Sequence, residues 1–580
     1  MELKKELIKF IKENHLSPFN LYKTPVKSEE ESIYKTRDGK SVHNRVLSNI
    51  SNYFCFSDSS NLFNCFEFTK DINKIKERQE FFRTVPKDLD NNFLKNLKKP
   101  KQTWKPKYSV VAVTDDEDTF SKLKNLDVPV KFLLNEQDVL DLENYEIVQA
   151  VDVEQFSSLI EQLPQSVFLD SIDDVYLERY LEILSSWKDN LEILKNINDN
   201  EILQIVLELK PILGLTQPQL NQKISRNEIE QKLGEINEEI SLKLKNMNVS
   251  GDILFEMLSK NKLPIEIEKI IDDSVKKTNV PEHLFDLAIP VKIDENEFEN
   301  FIRLQDANEN TDFAEKIKKN ASLLKKIPEK LERLCELMII YDFSSGISRF
   351  MLNQENGSWP IFSQEFTMEN SKNVFLESPQ AISFSLSLDE KCSILTGANS
   401  GGKTTLIEHI IQIISLFNLG LPTSGNVKIP IFSEVYYFAK NKGSANKGAF
   451  ETLLTQMSKI EPGTGTIILA DEIEAVTEPG VAGKIISATS SYFIEKNCFL
   501  VIATHLGYEI KDILPQKARI DGIEAKGLNE NNELIVDHNP VLGRLANSTP
   551  ELIVEKLANS EKQDYFKYLN RYLKENTTRQ

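Results

Sequence analysis

The segment CSILTGANSGGKTTLI, residues 392–407, decides how this chain folds. Its centre, residues 397–404, matches the phosphate-loop pattern G-x-x-x-x-G-K-[ST]. The apolar run before the loop predicts a strand and the apolar run after it predicts a helix, which is the context that the pattern requires. A Gly-rich turn that matched by chance would lack this strand and helix. We therefore interpret the segment as a phosphate-binding loop.

The residues of this loop have separate tasks in binding a nucleotide. Glycines let backbone N–H groups close around phosphate oxygens, and the positive end of the following helix adds to the attraction. Lys403 is expected to reach the β- and γ-phosphates, and Thr404 is expected to hold Mg²⁺. The predicted ATP-binding residues are Gly397, Ala398, Asn399, Ser400, Gly401, Gly402, Lys403, Thr404 and Thr405.

A second motif lies downstream at residues 466–472, where an apolar run ends in two acids. A predicted strand that ends in Asp-Glu is a Walker B pattern, in which Asp471 helps to hold Mg²⁺. Glu472 is the predicted catalytic base, because hydrolysis needs a group that orients and deprotonates the attacking water. The alternative is an ordinary buried strand with an acidic surface end, and the upstream loop favours the catalytic interpretation.

His505 ends a third apolar run, residues 498–505. An imidazole in this place can sense the γ-phosphate or position water. A lone histidine at a strand end is more often structural, but its position after the Walker B pattern favours a role in the reaction. The predicted catalytic residues are therefore Glu472 and His505, and the predicted cofactors are ATP and Mg²⁺.

Composition limits the class of protein. The chain has 580 residues, 40% apolar and 27% charged, and no stretch approaches the roughly 20 apolar residues of a membrane span. Its first residues lack an apolar signal core, so we expect a globular, cytoplasmic protein of several domains with no membrane partner. Five cysteines without a C-x-x-C pair fit a reducing compartment, and six scattered histidines show no zinc pattern. The net charge of −19 counts mildly against nucleic acid, although a local basic strip is enough for binding.

Periodicity divides the chain into six predicted segments. Apolar runs at 109–113, 130–134 and 146–151 predict the strands of a small α/β unit. The predicted fold class is an α/β P-loop NTPase domain joined to a mainly helical region with a long antiparallel arm and this small inserted α/β unit. The segments are 1–40 (helix and connector), 41–104 (start of a helical core), 105–172 (small α/β domain), 173–342 (helical arm), 343–547 (ATPase domain) and 548–580 (carboxy-terminal helices).

Two apolar seams predict the helical arm. The first runs through Ile229, Leu233, Ile236, Ile240 and Leu244, and the second through Leu324, Ile327, Leu331, Leu334 and Leu337. Spacings of three and four are typical of coiled coils, so we expect the two seams to pair as long antiparallel helices. Alone, the spacing indicates only a helical arm or bundle.

Several motifs together resemble the MutS family of ATPases. TGANSGGKT, residues 396–404, is similar to that family's T-G-x-N-x-G-G-K-[ST]. Asp471-Glu472, then TEPG at 477–480, then ATH at 503–505 follow the same order. No L-S-G-G-Q signature occurs, which argues against transporter and SMC-like relatives. The resemblance is strongest over 345–560 and implies an ABC-type ATPase domain, with levers and a clamp in the helical region.

The resemblance also implies a dimer. In that family a signature loop of one subunit completes its partner's nucleotide site, and the matching residues here are Ser444, Gly448 and Phe450. Gly448 begins Gly-Ala-Phe where the family has Ser-Thr-Phe, so Ser444 is the candidate for the missing hydroxyl. Asn399 is expected to approach the γ-phosphate. Segment 548–580 resembles the family's dimerisation helices, which implies a homodimer.

Two absences narrow the expected function. No phenylalanine in the first hundred residues begins the Phe-x-Glu motif of mismatch recognition, and no nuclease-type module follows the ATPase segment. The chain thus resembles the shorter, non-mismatch branch, and nuclease activity is not expected. Our first hypothesis is an ATP-gated homodimeric clamp on branched or junction DNA, in repair or recombination. The alternatives are a ribosome-associated ATPase that splits or rescues stalled ribosomes, and a scaffold without turnover, which Glu472 argues against.

Overall fold

A computed structural model describes most of the chain. The described residues are 2–20, 32–66, 68–87, 89–101, 109–126, 128–216, 225–245, 263, 265–278, 280–354, 357–397, 401–440, 448–472, 479–528, 534–546, 550–560 and 563–577. They form two compact units, one made of residues 1–97 with 333–580 and the other of residues 98–332.

The amino-terminal part of the first unit is helical. The helices are α1 (Glu2–Glu13), α2 (Arg37–Ser51) and α3 (Ile72–Thr84), with 3₁₀ turns at Ser57–Cys65 and Asn92–Asn96. Thr36 and Asp71 precede α2 and α3, and their side chains accept hydrogen bonds from backbone N–H groups of the first turn. Such N-caps satisfy donors that a helix start leaves unpaired, so they fix where both helices begin.

The second unit opens with a four-stranded parallel sheet in the order β2-β1-β3-β4. The strands are β1 (Val110–Thr114), β2 (Val130–Phe132), β3 (Ile147–Ala150) and β4 (Ser166–Phe168), and the helices between them are α4 (Glu117–Lys124), α5 (Glu136–Leu140) and α6 (Ser157–Ile160). The three predicted strands coincide with β1, β2 and β3. Sequence reasoning missed β4 because its apolar run is too short to show alternation.

Helices make up most of the rest of this unit. They are α7 (Glu178–Ser186), α8 (Lys188–Leu194), α9 (Asn200–Leu213), α10 (Arg226–Lys245), α11 (Ile265–Lys276), α12 (Glu295–Lys319), α13 (Ala321–Leu324) and α14 (Ile327–Leu352), with short strands β5 (Phe285–Asp286) and β6 (Lys292–Ile293) before α12. The boundary between the two units falls inside α14.

α10 carries the first predicted seam, but its partner differs from the prediction. The apolar residues buried together on the two helices are Ile229, Ile236, Ile240, Ile267, Ile271 and Val275. Glu239 lies 2.6 Å from Lys277 and Lys243 lies 3.1 Å from Ser274, so α10 and α11 run antiparallel. Among the described residues of this cluster, none comes from 324–337. The predicted pairing of the two seams is therefore wrong, because a seam identifies an apolar face and not what covers it.

The remainder of the first unit is an α/β region. Its strands are β7 (Gly357–Ser358), β8 (Ile361–Phe362), β9 (Phe366–Ser371), β10 (Ile382–Leu386), β11 (Cys392–Gly397), β12 (Thr423–Ser424), β13 (Asn426–Ile429), β14 (Glu434–Phe438), β15 (Thr466–Asp471), β16 (Phe499–Ala503), β17 (Ala518–Leu528) and β18 (Leu534–Val541). Its helices are α15 (Lys403–Leu419), α16 (Gly448–Met457), α17 (Pro479–Glu495), α18 (Gly507–Lys511), α19 (Pro550–Ser560) and α20 (Asp564–Thr577).

A six-stranded sheet in the order β14-β15-β16-β11-β17-β18 forms the centre of this region. All neighbours pair in parallel except β17 and β18. β11, β15 and β16 coincide with the three predicted strands and are buried almost throughout. Continuous apolar strands of this kind are typical of parallel sheets whose two faces are both covered. A separate four-stranded sheet, β10-β9-β13-β8, packs in the same core.

Residues 32–51 pack against α15, the helix that follows the phosphate loop. The Tyr34 hydroxyl lies 2.5 Å from Ser415 Oγ, and His43 Nδ1 lies 3.1 Å from the same oxygen. α15 is apolar on nearly every face, so it needs cover on all sides, as a helix buried within a core does. The amino-terminal residues supply part of that cover.

The far end of α15 is held by α3. The helix ends at Gly420, whose φ of 76° is left-handed, and a Cβ there would lie 2.4 Å from Arg78 Cβ. Arg78 donates a hydrogen bond of 2.7 Å to the backbone oxygen of Asn418, one of the carbonyls that a helix end leaves unpaired. Only glycine allows Arg78 to approach this closely, so the contact explains why Gly420 ends the helix and why Arg78 lies beside it.

In the described part of the chain, every helix is too short or too polar to span a bilayer. The five cysteines carry reduced thiols, and Cys392 and Cys498 are buried whereas the other three are half-buried.

We predict that acid destabilises the first unit through His43 and His409. Burial lowers the pKa of both imidazoles from 6.5 to about 4. Between these values the unfolded chain binds protons that the folded chain does not, so the free energy of unfolding should fall by roughly 3 kcal/mol per histidine from pH 7 to pH 4. Above pH 7 neither state is charged and the effect is absent. Urea unfolding over this pH range measures it, and His43→Asn/His409→Asn should lose less stability on acidification. Equal losses in the two proteins would contradict the assignment.

Candidate nucleotide-binding site

The parallel register of four strands brings the predicted site residues to one edge of the six-stranded sheet. Ala503 of β16 lies beside both Asp471 of β15 and Leu395 of β11, and Phe438 of β14 lies beside Ala470. The carboxyl ends of parallel strands meet at one edge, where ligands of open α/β sheets bind. The loop after β11 and the residues after β14, β15 and β16 therefore face a common space.

The described loop residues show why glycine is required. Gly397 has a φ of 137°, and a Cβ there would lie 2.4 Å from the carbonyl oxygen of Ile523. Gly402 has a φ of 92° and occupies the N-cap position of α15 without a side-chain hydrogen bond to the helix. The first amides of α15 are thus left to an anion, and the helix dipole attracts one. Ala398, Asn399 and Ser400 lie outside the described residues, so their role in binding ATP stays a prediction.

Lys403 is almost fully buried, and its ammonium group turns back over the loop. Its Nζ donates to the carbonyl oxygen of Gly397 over 2.7 Å and lies 3.5 Å from His505 Nε2. A buried ammonium is costly without anionic partners, so its place inside the loop suits the charge of a polyphosphate. Thr405 contributes its carbonyl oxygen to the Asn373 side chain, and its predicted contact with ATP is likewise untested.

Thr404 and Asp471 form the predicted metal site. Thr404 Oγ1 donates to Asp471 Oδ2 over 2.5 Å, so the two side chains meet although they are far apart in sequence. The other oxygen, Asp471 Oδ1, is buried and has no hydrogen-bond partner among the described residues. Burial raises the pKa of Asp471, against the hydrogen bond from Thr404, which lowers it. A cation beside this carboxylate would remove the cost of its burial, so the residues fit Mg²⁺.

This metal site has few protein ligands. No group of three or more His, Cys, Asp or Glu side chains that suits a metal occurs in the described part of the chain. Mg²⁺ that is bound with a nucleotide uses one or two protein oxygens and takes its other ligands from phosphates and water.

Glu472 is held by two nitrogen groups. Its Oε1 lies 2.8 Å from His505 Nε2, and its Oε2 forms an ion pair with Lys440 Nζ. Because a carboxylate only accepts hydrogen bonds, Nε2 of His505 must carry the donated proton. Burial acts to raise the pKa of Glu472, but the bonds from Lys440 and His505 outweigh it, so the pKa lies below its usual value. Glu472 is therefore an ionised carboxylate at neutral pH, as a general base must be.

Two residues at the site escaped sequence reasoning. Lys440 follows β14 by two residues, and the parallel pairing of β14 with β15 carries it to Glu472, so recognition of β14 as a neighbour of β15 would have found it. His538 of β18 places Nδ1 2.9 Å from the carbonyl oxygen of Gly401 and beside Gly402. No local pattern marks His538, because β18 reaches the loop only through the sheet.

The predicted signature loop remains untested. Ser444 lies outside the described residues, and so does the side chain of Phe450. The backbone of Gly448 and Phe450 lies in the first turn of α16.

A phosphate loop at the end of one parallel strand and an Asp-Glu pair at the end of another define the class of P-loop NTPases. Within that class, the chain is similar over almost its whole length to a MutS2 protein, of the non-mismatch branch related to MutS. It is 28% identical over 573 residues to "DNA-binding protein MutS2" of Pyrococcus furiosus, and the alignment covers 93% of this chain and 98% of that protein. The resemblance inferred from the motifs is confirmed.

Other relatives match over shorter lengths. "Endonuclease MutS2" of Solidesulfovibrio magneticus is 26% identical over 135 residues, which are 22% of this chain and 18% of that protein. "Endonuclease MutS2" of Aquifex aeolicus is 26% identical over 179 residues, which are 29% of this chain and 23% of that protein. The alignments thus span about a fifth of each of these two relatives. No protein-family model matches the chain.

We predict that Thr404→Val removes the dependence of nucleotide affinity on Mg²⁺. The valine keeps the shape of threonine but lacks the hydroxyl that contacts Asp471, so ATP affinity in Mg²⁺ should fall about tenfold, as for loss of one bond to a charged group. Without metal the variant and the wild type should bind equally. Equilibrium binding of a fluorescent ATP analogue measures both, with Thr404→Ser as the control that keeps the hydroxyl. Unchanged affinity of Thr404→Val in Mg²⁺ would refute the metal site.

Proposed function

We propose that this protein hydrolyses ATP and uses the nucleotide to control its binding to DNA, as a homodimeric clamp on branched or junction DNA. The observation that carries the proposal is the meeting of Lys403, Thr404, Asp471, Glu472 and His505 at one sheet edge, in a chain that aligns over 93% of its length with a protein named for DNA binding.

The residues divide the reaction among them. The amides of the loop and the Lys403 ammonium bind the phosphates, and Thr404 and Asp471 hold Mg²⁺. The metal, when bound, neutralises charge on the phosphate oxygens. Glu472 orients the attacking water and takes its proton at a carboxylate oxygen. His505 fixes the direction of Glu472 through the bond from Nε2. Asn399 approaches the γ-phosphate in this proposal, as the family resemblance implies.

α15 is our candidate for carrying the nucleotide state away from the site. It begins at Lys403 and ends where Arg78 of α3 binds the Asn418 carbonyl. Gln79, the next residue of α3, donates to the carbonyl oxygen of Pro360 over 2.9 Å. α15 is closely packed along its length, so a shift of its first turn moves its far end as well. In this way the helical core responds to the phosphates bound at the loop.

The proposal keeps the six segments inferred from the sequence, with 548–580 as dimerisation helices. α19 and α20 pack on each other, and three tyrosines of α20, at 565, 568 and 572, are exposed. Ser444, Gly448 and Phe450 are proposed to reach the nucleotide of the partner subunit. Nuclease activity is left out, because the relatives named as endonucleases share only a small part of their length with this chain.

We predict that Glu472→Gln keeps ATP binding and loses turnover, because glutamine has the shape of glutamate but cannot take the proton of water. Turnover should fall at least a hundredfold, as when a general base is removed, while affinity for ATP stays within about twofold of wild type. Phosphate release and equilibrium binding measure the two quantities. Unchanged turnover would refute the assignment of the base.

The same variant identifies the clamped ligand. Captured from native lysate with ATP, Glu472→Gln should retain DNA, and junction DNA should compete better than linear duplex of equal length. Lys403→Ala, which lacks the phosphate-binding ammonium, is the matched control and should retain no DNA, whether junction or linear duplex. Recovery of ribosomal RNA without DNA would overturn the DNA proposal and favour the ribosome-associated alternative.

We predict a dimer that depends on the carboxy-terminal segment. Light scattering should give twice the mass of one chain with ATP, and a chain that ends at residue 547 should give the mass of one. A single-chain mass for the full-length protein, both with ATP and without it, would contradict the shared site.

A further inference from the structure

Both carboxylate oxygens of Glu472 are engaged in this structure. Oε1 accepts from His505, and Oε2 is paired with the Lys440 ammonium. A general base must present a lone pair to the water that it deprotonates, within hydrogen-bond reach. As long as both partners stay in place, water has to share each oxygen with a nitrogen donor, because each carboxylate oxygen has only two lone pairs. Opening of one of the two bonds gives water an oxygen that no nitrogen group holds.

The two partners differ in how firmly they are held. His505 follows β16, which lies between β11 and β15 in the sheet, and Nε2 faces both Lys403 and Glu472. Lys440 follows β14, the outermost strand at that side of the sheet, and its side chain is 49% exposed. Solvent screens the ammonium side of this pair, and forming the pair orders a long side chain. The His505 side chain is 38% exposed, so Lys440 is the more solvent-accessible of the two partners.

The backbone of Glu472 is held in place without any contribution from Lys440. The backbone at Glu472 has a φ of 46°, a left-handed conformation that costs energy for a residue with a side chain. It is fixed by the hydrogen bond of 2.9 Å from Glu472 N to the Ala503 carbonyl oxygen. Loss of the Lys440 ammonium should therefore free Oε2 without moving the carboxylate out of the site.

From this geometry we propose that Lys440 is a positioning residue that withholds the catalytic base, so that hydrolysis is fast only when the Lys440–Glu472 pair opens. The proposal rests on the ATPase activity proposed above. In the closed pair Lys440 shares the oxygen that water needs. In the open pair, water passes a proton to Oε2 while its oxygen bonds to the γ-phosphorus. The bond from the γ-phosphorus to the β–γ bridging oxygen breaks, so the products are ADP and phosphate. Lys440 thus keeps basal turnover low.

The kinetic test compares Lys440→Met with Lys440→Arg. Methionine keeps the length of the side chain and removes the charge, so kcat without nucleic acid should rise up to about fivefold, the equivalent of a half-exposed pair, with KM unchanged. Arginine can re-form the pair and should keep the low wild-type rate. Lys440→Met/Glu472→Gln should be inactive, which shows that the gain passes through Glu472. A kcat for Lys440→Met that equals the wild type, or falls towards that of Glu472→Gln, overturns the proposal.

A second readout needs no turnover. Brief acetylation of the nucleotide-free protein, followed by mass spectrometry, reports how accessible each lysine is. Lys440 should react faster in Glu472→Gln than in wild type, because the ion pair is lost, whereas Lys496, an exposed lysine that precedes β16 at the opposite edge, should react equally in both. Equal labelling of Lys440 in the two proteins overturns the proposal. If the wild type does not hydrolyse ATP, the proposed function is contradicted. The labelling experiment does not depend on hydrolysis, so its result is interpreted separately.

Discussion

The parallel register of β14, β15, β16 and β11 is the constraint on which the site depends. Each strand contributes residues just past its carboxyl end, and adjacent strands lie close enough for those side chains to touch. β16 stands between the strand of the phosphate loop and the strand of the acidic pair, so His505 reaches both Lys403 and Glu472. A shift of one residue in any of these pairings would turn the functional side chains to the other face of the sheet.

Two neighbouring carboxylates acquire opposite properties at this edge. Burial raises the pKa of Asp471, and one of its oxygens has no hydrogen-bond partner among the described residues. The pKa of Glu472 is lowered, because Lys440 and His505 more than offset the effect of its burial. The first arrangement suits a group that awaits a metal cation, and the second suits a group that stays ionised beside water. In our proposal, adjacent positions in the chain thus supply a metal ligand and a general base because their environments differ.

The first unit joins residues from both ends of the chain around α15. Tyr34 and His43 contact its carboxy-terminal half through Ser415, and Arg78 contacts its end. The segment 1–97 is therefore part of the same compact unit as the region that holds the phosphate loop, and the boundary with the second unit falls within α14. A helix that begins at the phosphate loop and ends against α3 connects the candidate site directly to the helical core, which is the physical basis for nucleotide control in our proposal.

The sequence by itself determined the phosphate loop, the strands that flank the site and the roles proposed for Lys403, Thr404, Asp471, Glu472 and His505, because local motifs carry that information. It also identified the apolar seam of α10, since periodicity reports which face is buried. Only the tertiary structure decided what covers that seam, which short strands complete each sheet, and that Lys440 and His538 reach the site. The reason is physical: these contacts join residues whose proximity depends on strand order and helix packing, and no local pattern in a single chain specifies either.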